Sequence, residues 1–319
     1  MACILVTGGA GFIGSHVVET LLQEGREVVV LDNFDDFYLP ELKRKNLSAL
    51  AGRAGYSLVE GDIRDTMVVE KVFTTHAIGV VVHLAARAGV RPSIMQPVQY
   101  CDVNVAGTAV LLEACRRHGI AKFIFGSSSS VYGNATKLPF SEKDDVDRPI
   151  SPYAATKRAG ELLCATYHEL YQLNVFALRF FTVYGPRQRP EMAIHKFTRL
   201  IDRGLPVPQF GDGSTQRDYT YVTDIVDGVV RSIERVQGFE IINLGGSQTT
   251  RLRELIALLQ TNLGREAVIE EESAQPGDVK ATYADVDKAR RLLGYEPRVP
   301  MEEGVRRFVD WYRGLKGKT

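Results

Sequence analysis

The chain has 319 residues, 45% of them hydrophobic, and this length suits one large α/β domain or two unequal ones. Lysine plus arginine and aspartate plus glutamate number 39 each, so no net charge attracts nucleic acid or an acidic membrane surface. The composition therefore indicates a small-molecule partner and argues against nucleic-acid and membrane binding.

The cysteines and histidines show none of the short spacings, such as CxxC or HExxH, that are typical of metal sites. We expect Cys3, Cys101, Cys115 and Cys164 to be buried free thiols in a reducing compartment. The N-terminus lacks the pattern of a signal peptide, and no apolar run is long enough to span a bilayer. The sequence thus predicts a cytoplasmic protein without a metal ion.

The predicted elements begin with a short apolar strand at residues 4–6, followed by a glycine-rich turn and a helix. This order is the one that a phosphate-binding turn requires. Gly8 allows the tight turn, Gly11 lets a pyrophosphate approach the backbone, and Gly14 lets the helix pack on the sheet. The cofactor residues expected in this turn are Gly8, Gly11, Phe12, Ile13 and Gly14.

A second apolar strand, residues 28–31, ends in Asp32 and is followed by Asn33. A carboxylate here accepts hydrogen bonds from an unmodified adenosine ribose and repels a 2′-phosphate, so Asp32 favours NAD over NADP. We include Asn33 in the expected cofactor site. The charged segment at residues 34–50, which contains Lys43, is interpreted as a helix with a solvated face.

Three further apolar strands, at residues 57–60, 79–84 and 122–125, continue the alternation and predict an α/β fold with a doubly wound parallel sheet. Ligands bind beyond the carboxyl ends of such strands. A long helix predicted over residues 98–118 would bring Asn104 near the nicotinamide ribose. The further cofactor candidates are Asp62, Ile63, Leu84, Ala85, Ala86 and Asn104.

A serine run at residues 127–130 directly follows the fifth strand, and a helix is expected to begin at Pro152. Tyr153 and Lys157 would then lie on one face of that helix. Tyrosine titrates at about 10, so a neighbouring positive charge is needed to favour the phenolate. The pair predicts a proton-accepting tyrosine activated by a lysine, whereas a YxxxK match by itself also suits an ordinary amphipathic helix.

The glycine turn, the serine run and the Tyr153 and Lys157 pair together resemble the extended short-chain dehydrogenase/reductase superfamily of NAD-dependent sugar-nucleotide epimerases, dehydratases and decarboxylases. The resemblance covers essentially the whole chain. It implies a Rossmann domain at residues 1–180 and a mainly UDP-sugar-binding domain at residues 181–319, from which about residues 218–245 return to the Rossmann domain. It also implies a homodimer and a tightly bound NAD that is regenerated in each cycle. The implied catalytic set is Ser128, Ser130, Tyr153 and Lys157.

Within this superfamily the serine run disfavours a dehydratase. The 4,6-dehydratases of the family typically carry the sequence Thr, Asp, Glu at this place. Residues 180–193 and 34–47 are similar to the UDP-glucuronate 4-epimerases. Thr182 stands where UDP-glucose 4-epimerases and UDP-glucuronate decarboxylases usually carry Asn. The serine run and Thr182, with Arg189 as the cation, would bind the C5 carboxylate of a glucuronate without leaving a buried charge unpaired.

The remaining substrate residues also follow from the resemblance. Gln209 and Phe210 lie where the family holds the uracil. Arg217 would contact the diphosphate, an anion that a guanidinium group binds well. Asp278 is available for the uridine ribose. The expected substrate set is Arg91, Ser128, Ser129, Ser130, Thr182, Arg189, Gln209, Phe210, Arg217 and Asp278.

One position departs from the family pattern. Gln275 stands where the family usually has an arginine that binds the diphosphate. Either Arg187 or Arg91 would have to compensate, or the affinity for the nucleotide is lower.

The expected activity is that of a UDP-glucuronate 4-epimerase, an isomerase. Carbon 4 of the sugar is oxidised to a ketone, the keto sugar rotates, and its other face is reduced while NAD is regenerated. The alternatives are a UDP-glucose 4-epimerase and a UDP-glucuronate decarboxylase. A non-enzymatic NAD-sensing module of the same fold is a further alternative, against which Tyr153 and Lys157 argue.

Overall fold

The computed structural model describes residues 2–273 and 279–316, and strands alternate with helices through most of this range. The strands are β1 (Cys3–Thr7), β2 (Val28–Asp32), β3 (Tyr56–Glu60), β4 (Ile78–His83), β5 (Lys122–Ser128), β6 (Asn174–Phe180), β7 (Thr182–Tyr184), β8 (Val207–Phe210), β9 (Gln216–Arg217), β10 (Tyr219–Tyr221), β11 (Phe239–Leu244), β12 (Thr250–Arg251) and β13 (Ile269–Glu272). The helices are α1 (Phe12–Gln23), α2 (Pro40–Ser48), α3 (Thr66–Thr75), α4 (Val90–Met95), α5 (Pro97–Cys101), α6 (Gly107–Arg117), α7 (Pro152–Tyr171), α8 (Ala193–Arg203), α9 (Val222–Arg235), α10 (Leu252–Leu263), α11 (Asp287–Leu293) and α12 (Met301–Lys316). A π-helical turn spans Asp102–Ala106, and a 3₁₀ turn spans Ser129–Tyr132.

Seven strands form one parallel sheet in the order β11-β6-β5-β4-β1-β2-β3. Strands β1 and β2 are buried along their whole length, as expected for parallel strands that are covered by helices on both faces. The strand order reverses between β1 and β4, which creates the crevice where ligands bind in such sheets. The doubly wound parallel sheet predicted from the sequence is confirmed.

The central sheet also includes a strand from the second half of the chain. Strand β11 runs parallel to β6, with Phe239 opposite Val175 and Leu244 opposite Phe180. Helix α9, which precedes β11, packs against α1. Three smaller pairs, β7 with β10, β8 with β13 and β9 with β12, lie outside the central sheet. The division of the chain near residue 180, with a return over about residues 218–245, stays a prediction.

The helix predicted over residues 98–118 is divided by the π-helical turn Asp102–Ala106. Asn104 lies in this turn and is 2% exposed. Its side chain accepts a hydrogen bond from the N–H of Arg87 at 2.8 Å and donates to the Arg87 carbonyl and to Thr156 Oγ1, both at 3.0 Å. The helical conformation continues without a break from Pro97 to Arg117, so the predicted long helix is confirmed, although hydrophobic periodicity did not reveal the single-turn change in its winding.

The four cysteines are unpaired in the structure. Cys3, Cys115 and Cys164 are buried as predicted, but Cys101 is exposed, because it ends the short helix α5 on the protein surface. Among the described residues, the helices are too short or too polar for any of them to cross a membrane.

A buried aspartate connects several loops of the second half of the chain. Asp218 accepts hydrogen bonds from the backbone N–H groups of Gly246, Ser247 and Ala284 at 2.7 to 3.1 Å. Burial raises the pKa of its carboxyl group to about 6. The Asp218 carbonyl accepts a hydrogen bond from the N–H of Thr182 at 3.1 Å, so these loops also fix the start of β7.

Candidate active site

A cavity of about 480 Å³ lies where the strand order of the central sheet reverses. The glycine turn, the ends of β2 and β4, the serine run, α7 and β7 all contribute to its wall. The predicted site residues that line it are Gly8, Gly11, Phe12, Ile13, Gly14, Asp32, Asn33, Asp62, Ile63, Leu84, Ala85, Ala86, Ser128, Ser129, Ser130, Tyr153, Lys157, Thr182, Arg189 and Arg217. The fold therefore brings most of the predicted residues together.

The glycine turn at one end of the cavity has no room for side chains. Gly8 has a φ of +71°, and a Cβ there would lie 2.6 Å from the backbone nitrogen of Ala85. A Cβ at Gly14 would lie 2.2 Å from the Gly8 carbonyl oxygen. Helix α1 begins directly after Gly11, which supplies no side-chain cap, so the first N–H groups of the helix suit an anion.

Two carboxylates lie at the ends of neighbouring strands beside this turn. Asp32 accepts hydrogen bonds from two backbone N–H groups at 3.0 and 2.9 Å, and burial raises its pKa. Asn33 donates to Asp62 at 2.9 Å. Hydrogen bonds from Arg64 lower the pKa of Asp62 to about 2, so this carboxylate is ionised at neutral pH. Asp32 and Asp62 thus both line the cavity beside the glycine turn, and their roles toward the cofactor stay predictions.

Lys43 also lines this end of the cavity and is 7% exposed, so the interpretation of residues 34–50 as a solvated face was wrong at this position. Its Nζ donates to the Asp35 carbonyl at 2.6 Å. Burial lowers the pKa of Lys43, and the charge of Asp32 opposes this effect. The spacing could have revealed the burial of Lys43, because this residue lies one helical turn before Leu47, the other buried residue of α2.

The predicted helix start at Pro152 is confirmed, and the Ser151 hydroxyl caps the helix by accepting from a backbone N–H at 3.1 Å. Tyr153 and Lys157 lie on the same helix, with Lys157 Nζ 6.0 Å from the centre of the tyrosine ring. The same Nζ donates to the carbonyl of Gly126 at 2.7 Å. The pair thus lies beside the end of β5.

The two groups have shifted pKa values. Burial raises the pKa of Tyr153, whereas a hydrogen bond with Ser128 and the charge of Arg189 lower it. Burial lowers the pKa of Lys157 to about 8, and the charge of Glu161 opposes this effect. The charge of Arg189 thus favours the phenolate, and the hydrogen bond from Lys157 Nζ to the Gly126 carbonyl fixes the ammonium group beside the tyrosine.

The serine run divides into supporting and cavity-facing hydroxyls. Ser127 Oγ donates to Glu161 at 2.6 Å, which fixes it within the protein. Ser128 Oγ accepts from the N–H of Ser130 at 3.2 Å and lines the cavity. Ser130 Oγ is buried and has no hydrogen-bond partner among the described residues. A buried hydroxyl without a partner is costly, so Ser130 is suited to a polar ligand in the cavity.

A buried ion pair that the sequence analysis missed supports this region. Glu161 and Arg179, both 1% exposed, form two hydrogen bonds of 2.8 Å. Helix α7 therefore holds two adjacent residues of β5, with Lys157 bound to Gly126 and Glu161 bound to Ser127. Glu161 could have been found by spacing, because it lies one helical turn after Lys157 on the same face.

The other end of the cavity carries hydroxyls and a cation. Thr182 begins β7 and lines the cavity with Arg189. Arg189 Nε lies 3.1 Å from Glu191, and its guanidinium lies 5.5 Å from the centre of the Phe37 ring. Tyr38 Oη is buried and has no partner in the described part of the chain. These groups can accommodate an oxyanion.

Several predicted substrate residues lie elsewhere. Arg91, Gln209 and Phe210 are not among the described residues that line the cavity, and Arg91 instead lies over the Phe210 ring at 4.6 Å. Asp278 and Gln275 lie outside the described residues. Their roles stay predictions.

One further expectation needs correction. Asn104 does not line the cavity; its buried amide holds the backbone of Arg87, which does line it. Arg187 forms an ion pair with Glu19 at 2.7 Å and lies outside the same cavity, and its compensation for Gln275 stays a prediction. Spacing along the chain could not show that Arg187 and Arg189 contribute to different surfaces.

The arrangement can transfer a proton. A phenol, a hydroxyl and an ammonium group converge on one wall of the cavity, and an oxyanion site lies on another. Within residues 2–273 and 279–316, no three His, Cys, Asp or Glu side chains are grouped so that they could hold a metal ion. The geometry therefore suits removal of a proton from a ligand hydroxyl by Tyr153.

A family model described as GDP-mannose 4,6 dehydratase matches residues 5–308. Among curated relatives, the UDP-glucuronate 4-epimerase of Thermodesulfobacterium geofontis is 43% identical over 312 residues, which is 98% of this chain and 96% of that protein.

Solved structures of similar proteins agree with the fold. The UDP-glucuronic acid 4-epimerase from Bacillus cereus, in complex with UDP-glucuronic acid and NAD, is 38% identical with a TM-score of 0.93, covering 98% of this chain and 99% of that one. The UDP-glucose 4-epimerase from Thermotoga maritima, with UDP-glucose, is 35% identical with a TM-score of 0.91 and the same coverage.

The geometry predicts that Glu161→Gln lowers the pKa of Lys157 below about 8, by about one pH unit, because it removes the anion that favours the ammonium form. The measurement is an NMR titration of the Lys157 side chain. Glu169→Gln, an exposed change on the same helix, is the matched control and should leave the titration unchanged.

Because Glu161→Gln also leaves the Arg179 charge unpaired, a second variant is needed. The double variant Glu161→Gln with Arg179→Gln removes both buried charges and should fold more stably than the single variant. If Lys157 titrates as in the unmodified protein in both variants, Glu161 does not control its charge.

Proposed function

Because this chain belongs to the family of the GDP-mannose 4,6 dehydratase model, within the extended short-chain dehydrogenases/reductases, we propose that it is an NAD-dependent UDP-glucuronate 4-epimerase. The reaction interconverts UDP-glucuronate and UDP-galacturonate. The observation that carries the proposal is that the hydroxyls of Ser130 and Thr182 and the charge of Arg189 line the same cavity as Tyr153 and Lys157. Similarity to the epimerases named above supports it.

The serine run argues against the dehydration that the name of the family model describes. Elimination of water needs an added acid and base beside the reacting sugar. At the end of β5 the chain instead has Ser128, Ser129 and Ser130, whose hydroxyls are neutral. These side chains can bind a substrate but cannot provide that acid and base.

The residues present fit NAD. The glycine turn leaves backbone N–H groups at the start of α1 for the pyrophosphate, and a Cβ at Gly8 or Gly14 would collide with backbone. Asp32 has lone pairs left for a ribose hydroxyl beyond its two backbone hydrogen bonds, and its carboxylate would repel a 2′-phosphate. Lys43 lies beside it. NAD, when bound, accepts the hydride of sugar carbon 4 and returns it.

Tyr153 is the proposed base and acid. It takes the proton of the C4 hydroxyl as the ketone forms, with Ser128 hydrogen-bonded to the same phenol. The charges of Lys157 and Arg189 favour the phenolate. After the keto sugar has turned its other face to the cavity wall, Tyr153 returns the proton to the C4 oxygen with the opposite configuration.

The carboxylate of glucuronate imposes an added requirement. The keto intermediate is a β-keto acid, which loses CO2 when its carboxylate is free to align the C–C bond for cleavage. Hydrogen bonds from Ser130 and Thr182, with the charge of Arg189, would hold the carboxylate in another orientation. The buried hydroxyl of Ser130, which has no partner among the described residues, is consistent with this role.

The purified protein should convert UDP-glucuronate to UDP-galacturonate with no net formation of NADH, as resolved by NMR of the nucleotide products. Tyr153→Phe should lower turnover by about a hundredfold or more while NAD stays bound, because the base is lost. Tyr167→Phe on the same helix is the matched control. Turnover of UDP-glucose alone, or release of CO2 with a UDP-pentose, would contradict the proposed substrate or reaction.

Thr182→Asn tests the control of the carboxylate. The substitution replaces a hydroxyl by a longer amide, so we expect UDP-pentose as a by-product and a KM for UDP-glucuronate raised about tenfold. Product NMR and steady-state kinetics measure both. Unchanged kinetics without any pentose would show that Thr182 does not restrain the carboxylate.

We also propose a homodimer. Helices α4, α5 and α7 pack together and expose Met95, Val98 and Leu162, which are 82%, 80% and 52% exposed. Leu111 of α6 is buried within the chain and is not part of this group. Such a group of apolar side chains is typical of an interface between subunits.

The homodimer predicts that Leu162→Asp places a charge in the interface and shifts the protein to the monomer mass in sedimentation experiments. Met67→Asp, a matched change at an exposed residue of α3, should leave the mass unchanged. A monomeric unmodified protein at micromolar concentration would disprove the homodimer.

A further inference from the structure

A second cavity, of about 360 Å³, lies behind the segment at residues 187–190. It is lined by parts of α2, α8 and α12, and Tyr38 is common to its wall and to that of the active-site cavity. The proposed reaction does not use it. We infer that this second cavity binds a small molecule carrying an oxyanion, a phosphate or a carboxylate, and that its occupant adjusts the active site through residues 187–190.

Arg187 supplies the first reason. Its backbone has a φ of +65°, a left-handed conformation that costs energy for a residue with a side chain. One terminal nitrogen, Nη2, pairs with Glu19 at 2.7 Å, but the other, Nη1, is buried without a partner among the described residues. A buried guanidinium N–H without an acceptor is costly, and an oxyanion in the cavity would satisfy it.

The side chains around Arg187 complete a polar and aromatic site. Lys45, on α2, adds a second positive charge to the wall. His195 Nδ1 lies 2.6 Å from the Gln188 carbonyl, which can only accept, so Nδ1 carries the proton and Nε2 keeps a lone pair. Trp311 meets the His195 ring edge to face at 5.6 Å. Two cations, one acceptor and an indole ring suit an oxyanion attached to an apolar or planar group.

The segment at residues 187–190 forms a partition between the two cavities. Arg189 lines the active-site cavity, whereas Arg187, Gln188 and Pro190 line the second one. Gln188 holds the partition by donating to the Val183 carbonyl at 3.1 Å. An occupant that binds Arg187 therefore acts on the backbone that carries Arg189. This coupling to the substrate rests on the proposed function, but binding itself does not.

Trp311 is the single tryptophan of the chain, so its fluorescence reports on the second cavity without any substrate or assay of turnover. Titration of the full-length protein with inorganic phosphate, and separately with free glucuronate, should give a saturable change for at least one of them, with a Kd below about 1 mM. The response to phosphate or to glucuronate distinguishes the two sources of an oxyanion.

Variants connect the signal to the cavity. Lys45→Gln and Arg187→Gln should each weaken binding by about tenfold. Lys45 is exposed, so its variant serves if Arg187→Gln disturbs folding. Arg44→Gln removes the adjacent positive charge of α2, which pairs with Glu60 outside the cavity, and should leave binding unchanged.

Three results would overturn the inference. They are no saturable signal with either anion, binding by the Lys45→Gln variant equal to that of the unmodified protein, or a loss of binding in Arg44→Gln equal to that in Lys45→Gln.

Coupling is tested separately by the KM for UDP-glucuronate, which should change about threefold or more with saturating anion. Binding without turnover would contradict the proposed function and leave the second site established. Turnover with binding but with an unchanged KM would overturn the coupling.

Discussion

The active site depends on the buried hydrogen bonds that connect helix α7 to the end of strand β5. Lys157 binds the carbonyl of Gly126, and Glu161, neutralised by Arg179, binds the hydroxyl of Ser127. These contacts fix the strand just before the cavity-facing serines. They are buried, where hydrogen bonds to charged groups are strong and a missing partner is costly. The same helix that carries the proposed base thus also positions the hydroxyls that work with it.

The second half of the chain is organised around the wall of the cavity that β5 and α7 form. Strand β11 extends the central sheet beside β6, so the loops that follow it reach the same end of the sheet as the serine run. The Asp218 carboxylate accepts hydrogen bonds from the backbone of Gly246, Ser247 and Ala284. Its carbonyl accepts one from the N–H of Thr182. Substrate-binding groups from distant parts of the sequence are therefore fixed against a site built on the first half.

One short segment serves two surfaces. Within residues 187–190, Arg189 lines the active-site cavity while Arg187 lines the second cavity with Trp311. Arg187 has a left-handed backbone with a φ of +65°, and the two arginines, which are close in sequence, line different cavities. A segment shared by the walls of two cavities can transmit the occupancy of one cavity to the other.

The sequence by itself determined the doubly wound sheet, the glycine turn and the helix that carries Tyr153 and Lys157. These features depend on local spacing and on the alternation of apolar segments. Both are set by interactions between residues that are close in sequence. Only the tertiary structure decided that Lys43 is buried, that Asn104 holds the Arg87 backbone, and that Glu161 pairs with Arg179. Those outcomes depend on which distant segments pack together, because burial and charge pairing arise from contacts between residues far apart in the chain.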